Sequence, residues 1–224
     1  MVPRCTTLNH FPPQRNTNRP SAHWYVRLIA DRPTFLDEPP ESEVTDRLYA
    51  EDVESDGYVG NLTRLWCWRP DLLEGTIKLR GQITKESPLS EREIAVLVTA
   101  TASARQDAYC ALAWGARLAG MADDETAARL IAGEDAPLSE RERALAAWAR
   151  QVVRDPNATT AEDVERLRAN GLSDREIFEA TAYIAQRLAF STVNDALGAS
   201  PDLQLAEEAP SQVREAVDFG RPPA

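Results

Sequence analysis

Apolar side chains along this chain recur every third or fourth residue, and no segment shows the period of two and the β-branched composition of a strand. The body therefore reads as all-α. The clearest stretch opens at Pro88, where Ser90 and Glu93 have the Ser-x-x-Glu spacing of a capping box and Ile94, Leu97 and Val98 supply the apolar face. No glycine or proline interrupts it before Gly115, so it is one very long helix or two helices divided near 104–107. Asp107, a good N-cap residue, favours two. Leu118 to Met121 ends the stretch, with Gly120 the expected C-cap. A short helix over 125–132 follows. Ser139 and Glu142 form a second capping box ahead of Leu145, Trp148, Ala149 and Val152, and Pro156 stops that helix. Thr160 opens another, closed at Gly171. Ser173 with Glu176 begins a last long helix through Ile177, Ala180, Ile184, Leu188 and Val193 to Gly198.

The flanks are less regular. Residues 1–43 read as an irregular extension, with seven prolines by Pro40 and a short element, Trp24-Tyr25-Val26 and Leu28-Ile29, able to dock on the body. Tyr49 to Asp56 is polar, Gly57 to Asn61 is a turn, and Pro70 opens a helical stretch carrying Leu72, Leu73, Ile77 and Leu79. Beyond Pro201 lies an acidic, proline-rich tail, 202–224, which leaves 44–201 as the helical domain. One hexapeptide returns. Pro88-Leu89-Ser90-Glu91-Arg92-Glu93 recurs as Pro137-Leu138-Ser139-Glu140-Arg141-Glu142, either a duplicated hairpin or a good helix start used twice.

Composition narrows the chemistry. In 224 residues, 43% hydrophobic and 27% charged, there is enough apolar material for a real core. No apolar run approaches the ~18 residues of a membrane span, and the first twenty residues lack an apolar signal core, so a cytoplasmic location is expected. The net charge of −11 is spread over helical faces, which disfavours nucleic acid. Cys5, Cys67 and Cys110 are too few and too far apart for a disulfide framework or a paired-cysteine metal site, and neither metal nor cofactor is expected. The histidines, His10 and His23, both lie in the extension, so a site in the body works without imidazole unless the extension folds back onto it. Five tryptophans exceed what one core of this aromatic content needs, which suggests that some lie between subunits.

The order of these signals resembles a known superfamily. Leu89 to Leu97, then Tyr109-Cys110-Ala111-Leu112-Ala113, then Leu118-Ala119-Gly120 are similar to the core hairpin of AhpD-like, carboxymuconolactone decarboxylase proteins. Asp56 to Asn61, Leu138 to Leu145, Thr160 to Arg168, Gly171 to Ile177 and Val193 to Gly198 resemble its peroxidase-related branch, so the likeness covers roughly 44–201. It implies an AhpD-like helical bundle with a core hairpin, a homo-oligomer (dimer, trimer or hexamer), and often a thiol peroxidase site. The family's redox motif is Cys-x-x-Cys-x-x-x-His with a glutamate earlier in the hairpin. A thiolate attacks the peroxide, a second thiol resolves the sulfenate, and Glu and His move the proton.

Aligned on Tyr109-Cys110, this chain places Asp107 at the first cysteine, Cys110 at the second and Trp114 at the histidine; Glu93 matches the glutamate with two extra residues allowed. An ungapped alignment would instead put Arg105, Ala108 and Leu112 on the motif. In either case the dithiol is gone. The candidate catalytic residues are Cys110 as nucleophile and Glu93 or Asp107 as proton acceptor, with Trp114, Tyr58 and Tyr109 around a substrate pocket. Three readings stay open: a single-cysteine peroxidase needing an external thiol reductant, a non-redox carboxylate enzyme acting on a carboxylic acid or lactone, and a non-catalytic small-molecule-binding oligomer. Cys67, between Trp66 and Trp68, reads as core or interface, and Asn194 as either a plain polar position or a helix–helix hydrogen bond.

Overall fold

In a computed structural model, residues 33–134 and 136–224 are described; Cys5, His10, His23 and the Trp24–Ile29 element lie outside them. The described residues form eleven α-helices and no strand: α1 (Glu43–Asp56), α2 (Asn61–Trp66), α3 (Pro70–Lys85), α4 (Glu91–Arg105), α5 (Ala108–Met121), α6 (Asp124–Ile131), α7 (Glu140–Arg154), α8 (Ala161–Ala169), α9 (Asp174–Ala196), α10 (Leu203–Glu208) and α11 (Ser211–Ala216). The three expected capping boxes form at Ser90, Ser139 and Ser173, and a fourth forms at Thr160, with Asp163 returning to the cap.

The long stretch is two helices. Gln106 takes the left-handed conformation, φ 59, which costs a non-glycine residue about 1–2 kcal/mol. The Asp107 N–H closes the turn on the Ala102 carbonyl at 3.0 Å, and Asp107 then caps α5. Gly120 is not the C-cap: α5 runs one residue further, to Met121, and Gly120 is absent from the positive-φ glycines. The polar stretch 49–56 is the second half of α1, stopped by Gly57 at φ 85.

α4 is the central helix, with Ala95, Val96 and Ala100 fully buried, packed on α5, α6, α7 and α9. The repeated hexapeptide makes a reciprocal lock where α4 meets α7. Arg92 of the first copy donates to Glu142 at 2.6 Å, and Arg141 of the second donates to Glu93. Each capping glutamate thus ends on the other copy's arginine. Arg141 also reaches Glu176, the capping glutamate of α9, so one guanidinium ties three helix N-termini together.

The segment after Pro201, expected as a tail, carries two helices whose apolar residues are built into the core. Leu205 is 2% exposed and Val213 is fully buried. α11 lies against α5 and α6 so closely that a Cβ on Gly115 would come within 2.6 Å of Ile131 Cδ1 and 2.9 Å of Val213 Cγ1. Truncating Leu205 to Ala removes a buried side chain and should lower the unfolding free energy by about 2–5 kcal/mol, read from the shift of the urea midpoint. A change below about 0.5 kcal/mol, the size expected at a surface position, would show that α10 merely rests on the surface.

Candidate functional site

Capping by Asp107 fixes where the thiol goes. Asp107 has no solvent exposure. Its Oδ1 accepts the Cys110 backbone N–H at 2.9 Å and its Oδ2 accepts the hydroxyl of Ser191 on α9. Cys110 therefore occupies the first turn of α5, where the helix dipole favours negative charge. Cys110 is 2% exposed, and its sulfur lies 3.9 Å from the Ser191 oxygen. From the other side Arg187, also on α9 and 2% exposed, donates from Nη2 to Cys110 Sγ at 2.8 Å. The guanidinium lies against the rings of Trp114 and Phe190, each centroid 5.5 Å away. Burial pushes the Cys110 thiol up to about 12; the Arg187 charge pulls it down and the Asp107 charge pushes it up. At neutral pH the sulfur is a thiol held between an acceptor for its proton and a cation for its anion.

Beyond Arg187 opens a cavity of ≈ 160 Å³ bounded by α1, α3, α5 and α9. Trp114, Tyr58 and Tyr109 line it together with Arg187, Phe190, Leu73 and Ile77, whereas Cys110 and Asp107 do not. Its polar end is acidic. The Tyr109 hydroxyl donates to Asp202 Oδ2, while Asp202 Oδ1 accepts the N–H of Asn61 and so caps α2. Asp52 accepts the Gly60 N–H at 2.9 Å. Burial raises Asp52 and Asp202 above the usual carboxylate range and pushes Asp56 up to about 6. Burial, then the Asp202 charge, raises both Tyr58 and Tyr109 well above an ordinary phenol.

The expected site residues thus divide. Cys110 and Asp107 meet in one buried cluster; Trp114, Tyr58 and Tyr109 line the neighbouring cavity; Arg187 touches both. Glu93 joins neither. It is the third residue of α4, so roughly 18 Å of helix separates it from the Asp107 turn at 1.5 Å per residue, and its carboxylate is held by Ser90 and Arg141. Arg187, Ser191 and Asp202 were not anticipated. A signal for the first two was present: Arg187, Ser191 and Asn194 fall at i, i+4 and i+7 on the α9 face that also carries Ile184, a polar stripe where the period asks for apolar residues. Asn194 does make a helix–helix hydrogen bond, accepting from Trp66 Nε1 at 2.8 Å. Cys67 is buried beneath α2. Among the described residues no group of three or more His, Cys, Asp or Glu side chains is placed to hold a metal, and no helix is long and apolar enough to cross a membrane.

No protein-family profile matches the chain, and no curated protein matches it either. Solved structures do. A peroxidase-related protein with an alkylhydroperoxidase AhpD core, from Ralstonia eutropha JMP134, superposes with a TM-score of 0.70 at 21% identity, over 79% of this chain and 96% of that one. A peroxidase-related protein from Silicibacter sp. TM1040 gives 0.69 at 23% identity, over 78% and 95%. The debrominase Bmp8, in its apo form, gives 0.64 at 15% identity, over 82% and 98%. The fold is the AhpD-like helical fold of peroxidase-related proteins, as the motif order led one to expect.

The electrostatics around the sulfur have a definite sign. Asp107→Asn keeps a side chain able to cap α5 and removes the negative charge beside the thiol. In a background of Cys5→Ser and Cys67→Ser, the thiol titration followed at 240 nm should move below about 12. Arg187→Met should move it higher. An unshifted titration in both variants would mean that neither charge reaches the sulfur.

Proposed function

We propose that this chain is a single-cysteine, AhpD-like thiol oxidoreductase of the peroxidase type, with Cys110 as nucleophile, Asp107 as proton acceptor and Arg187 as the counter-charge of the thiolate. One observation carries the reading: the Arg187 guanidinium donates to the sulfur at 2.8 Å inside a cluster that also holds a buried carboxylate. A thiol reacts through its thiolate, and this arrangement supplies both a place for the proton and a charge for the anion left behind. The proton passes from Sγ to Asp107, directly or through the Ser191 hydroxyl. The thiolate then attacks one oxygen of a hydroperoxide: an S–O bond forms, the O–O bond breaks, and the departing oxygen takes the proton that Asp107 received, leaving as alcohol or water. Cys110 becomes a sulfenic acid. With Asp107 standing where a resolving cysteine would, an external thiol condenses with the sulfenic acid, water leaves, and a second thiol releases the disulfide and restores Cys110.

A second reading rests on the acidic end of that cavity. Tyr109 bonded to Asp202, with Asp56 pushed up to about 6 by burial, is the equipment of general acid–base catalysis on a carboxylic acid or lactone. The carboxylates concerned are then Asp202 and Asp56 rather than Glu93 and Asp107. The homo-oligomer expected from the sequence is assigned to the face where Trp68, Leu72 and Leu79 stand 40–49% exposed; Trp68→Glu should lower the sedimenting mass, and an unchanged mass removes that face from the contact.

Incubation with cumene hydroperoxide and a small thiol should give turnover and a dimedone adduct on Cys110. Cys110→Ser should abolish both, and Arg187→Met should slow sulfenate formation at pH 7 by at least about tenfold through the lost thiolate stabilisation. Turnover that survives Cys110→Ser overturns the thiol reading; the acid–base one predicts instead turnover of a carboxylic acid or lactone that Asp202→Asn abolishes and Cys110→Ser leaves intact.

A further inference from the structure

We propose that residues 217–224 are a lid over Cys110, and that reagents reach the sulfur by lifting this strap rather than through the 160 Å³ cavity. The inference goes beyond the thiol-oxidoreductase reading, since it concerns access to the sulfur and holds whatever chemistry the sulfur performs. Three observations carry it. First, Cys110 does not line the cavity, from which Arg187 separates it, so the cavity side is closed to the sulfur. Second, the apolar neighbours that close the other side are Ala102 and Ala111 of the hairpin and Val217 and Phe219 of the strap. The strap crosses the α4–α5 turn with Gly220 at φ 72, where a Cβ would stand 2.9 Å from both the Gln106 carbonyl oxygen and the Ala108 Cβ. Only a glycine fits there, because the strap lies directly on the backbone of the turn that positions Asp107 and Cys110.

Third, the strap is held at a few points and leaves a space against α5. It has no regular structure beyond Ala216, and a space of ≈ 330 Å³ lies between it and Ala108 and Leu112 of α5. Its anchors are few. Arg221 donates to the Asp195 carbonyl at 3.0 Å and stacks over Phe35, with its ring centroid 4.6 Å away, and the Ala224 N–H donates to the Pro201 carbonyl at 2.9 Å. Asn61 Nδ2 donates to the Ala224 carbonyl. A segment fixed by so few contacts over unfilled space belongs to the low end of the local stability range and opens without the bundle unfolding. The hairpin that holds the sulfur belongs to the high end, since Ala95 to Ala102 of α4 are all buried.

The test reads alkylation of Cys110 by iodoacetamide, by mass spectrometry, in full-length protein carrying Cys5→Ser and Cys67→Ser. In that parent the rate should stay nearly flat between 0 and 1 M urea, because lifting a strap exposes little surface. Gly220→Ala, which forces the strap off the turn, should label at least about tenfold faster with an unchanged unfolding midpoint, and Phe219→Ala should accelerate labelling in the same direction. If Gly220→Ala does not fold, Phe219→Ala and the urea dependence decide. Labelling within about twofold of the parent in the strap variants, or a parent rate that climbs with the full slope of global unfolding, overturns the lid. Loss of peroxide turnover with faster labelling would reject the peroxidase reading and leave the lid standing.

Discussion

A carboxylate with no solvent exposure must be compensated from within the protein, since removing it from water costs several kcal/mol even after relaxation. Asp107 is such a group, and its compensation organises the site. Its two oxygens take the Cys110 N–H and the Ser191 hydroxyl, and the first turn of α5 adds its dipole. The opposing cation, Arg187, stands across the sulfur on the same helix as Ser191. Charge balance at this point thus joins the α4–α5 hairpin to α9. It also places the left-handed Gln106 and the strap over Ala108, since both depend on the path of the same turn.

The capping glutamates show how one residue type serves two ends. A capping-box glutamate engages its own helix start through one oxygen, leaving the other free. In α4, α7 and α9 that second oxygen meets an arginine from another helix start: Arg141 takes Glu93 and Glu176, and Arg92 takes Glu142. These pairs are half-buried and charge-assisted, so they fix the register of three helices more firmly than exposed pairs would. The recurrence of Ser-Glu-Arg-Glu after 49 residues is explained by this exchange, because each copy supplies the arginine that the other needs.

Local signals in the sequence were readable to the extent that their partners lay within a turn or two. The caps at Ser90, Ser139, Ser173 and Asp107 reach three residues and appear where expected. α10 and α11, of six residues each, are too short to hold themselves. They exist because Leu205 and Val213 find α5 and α6, which no local pattern announces. Glu93 went astray for a related reason: its capping role could be read, but the Arg141 that occupies its free oxygen lies 48 residues away. Arg187 was hidden in plain view. A lone charge on an apolar stripe signals a buried counter-charge, yet its partners, Cys110 and Asp107, come from a different helix.

On the proposed reading, Asp107 at the position of a paired cysteine changes what the hairpin exchanges. In the motif that the chain resembles, the residue three before the second cysteine offers an electron pair and ends in a disulfide. A carboxylate in the same place offers only a site for a proton, and geometry holds it there: an N-cap oxygen bonded to the Cys110 N–H lies beside that residue's side chain. Trp114, which the resemblance puts at the histidine position, cannot move a proton, but its ring lies against the Arg187 guanidinium. On the proposed reading, proton acceptance sits at the N-cap of α5, about two turns before Trp114, and the counter-charge of the anion comes from α9. On that reading, with Asp107 in the place of a second cysteine, resolution falls to an external thiol. For a thiol that burial pushes up to about 12, reactivity then depends on how the pull of Arg187 compares with the push of Asp107.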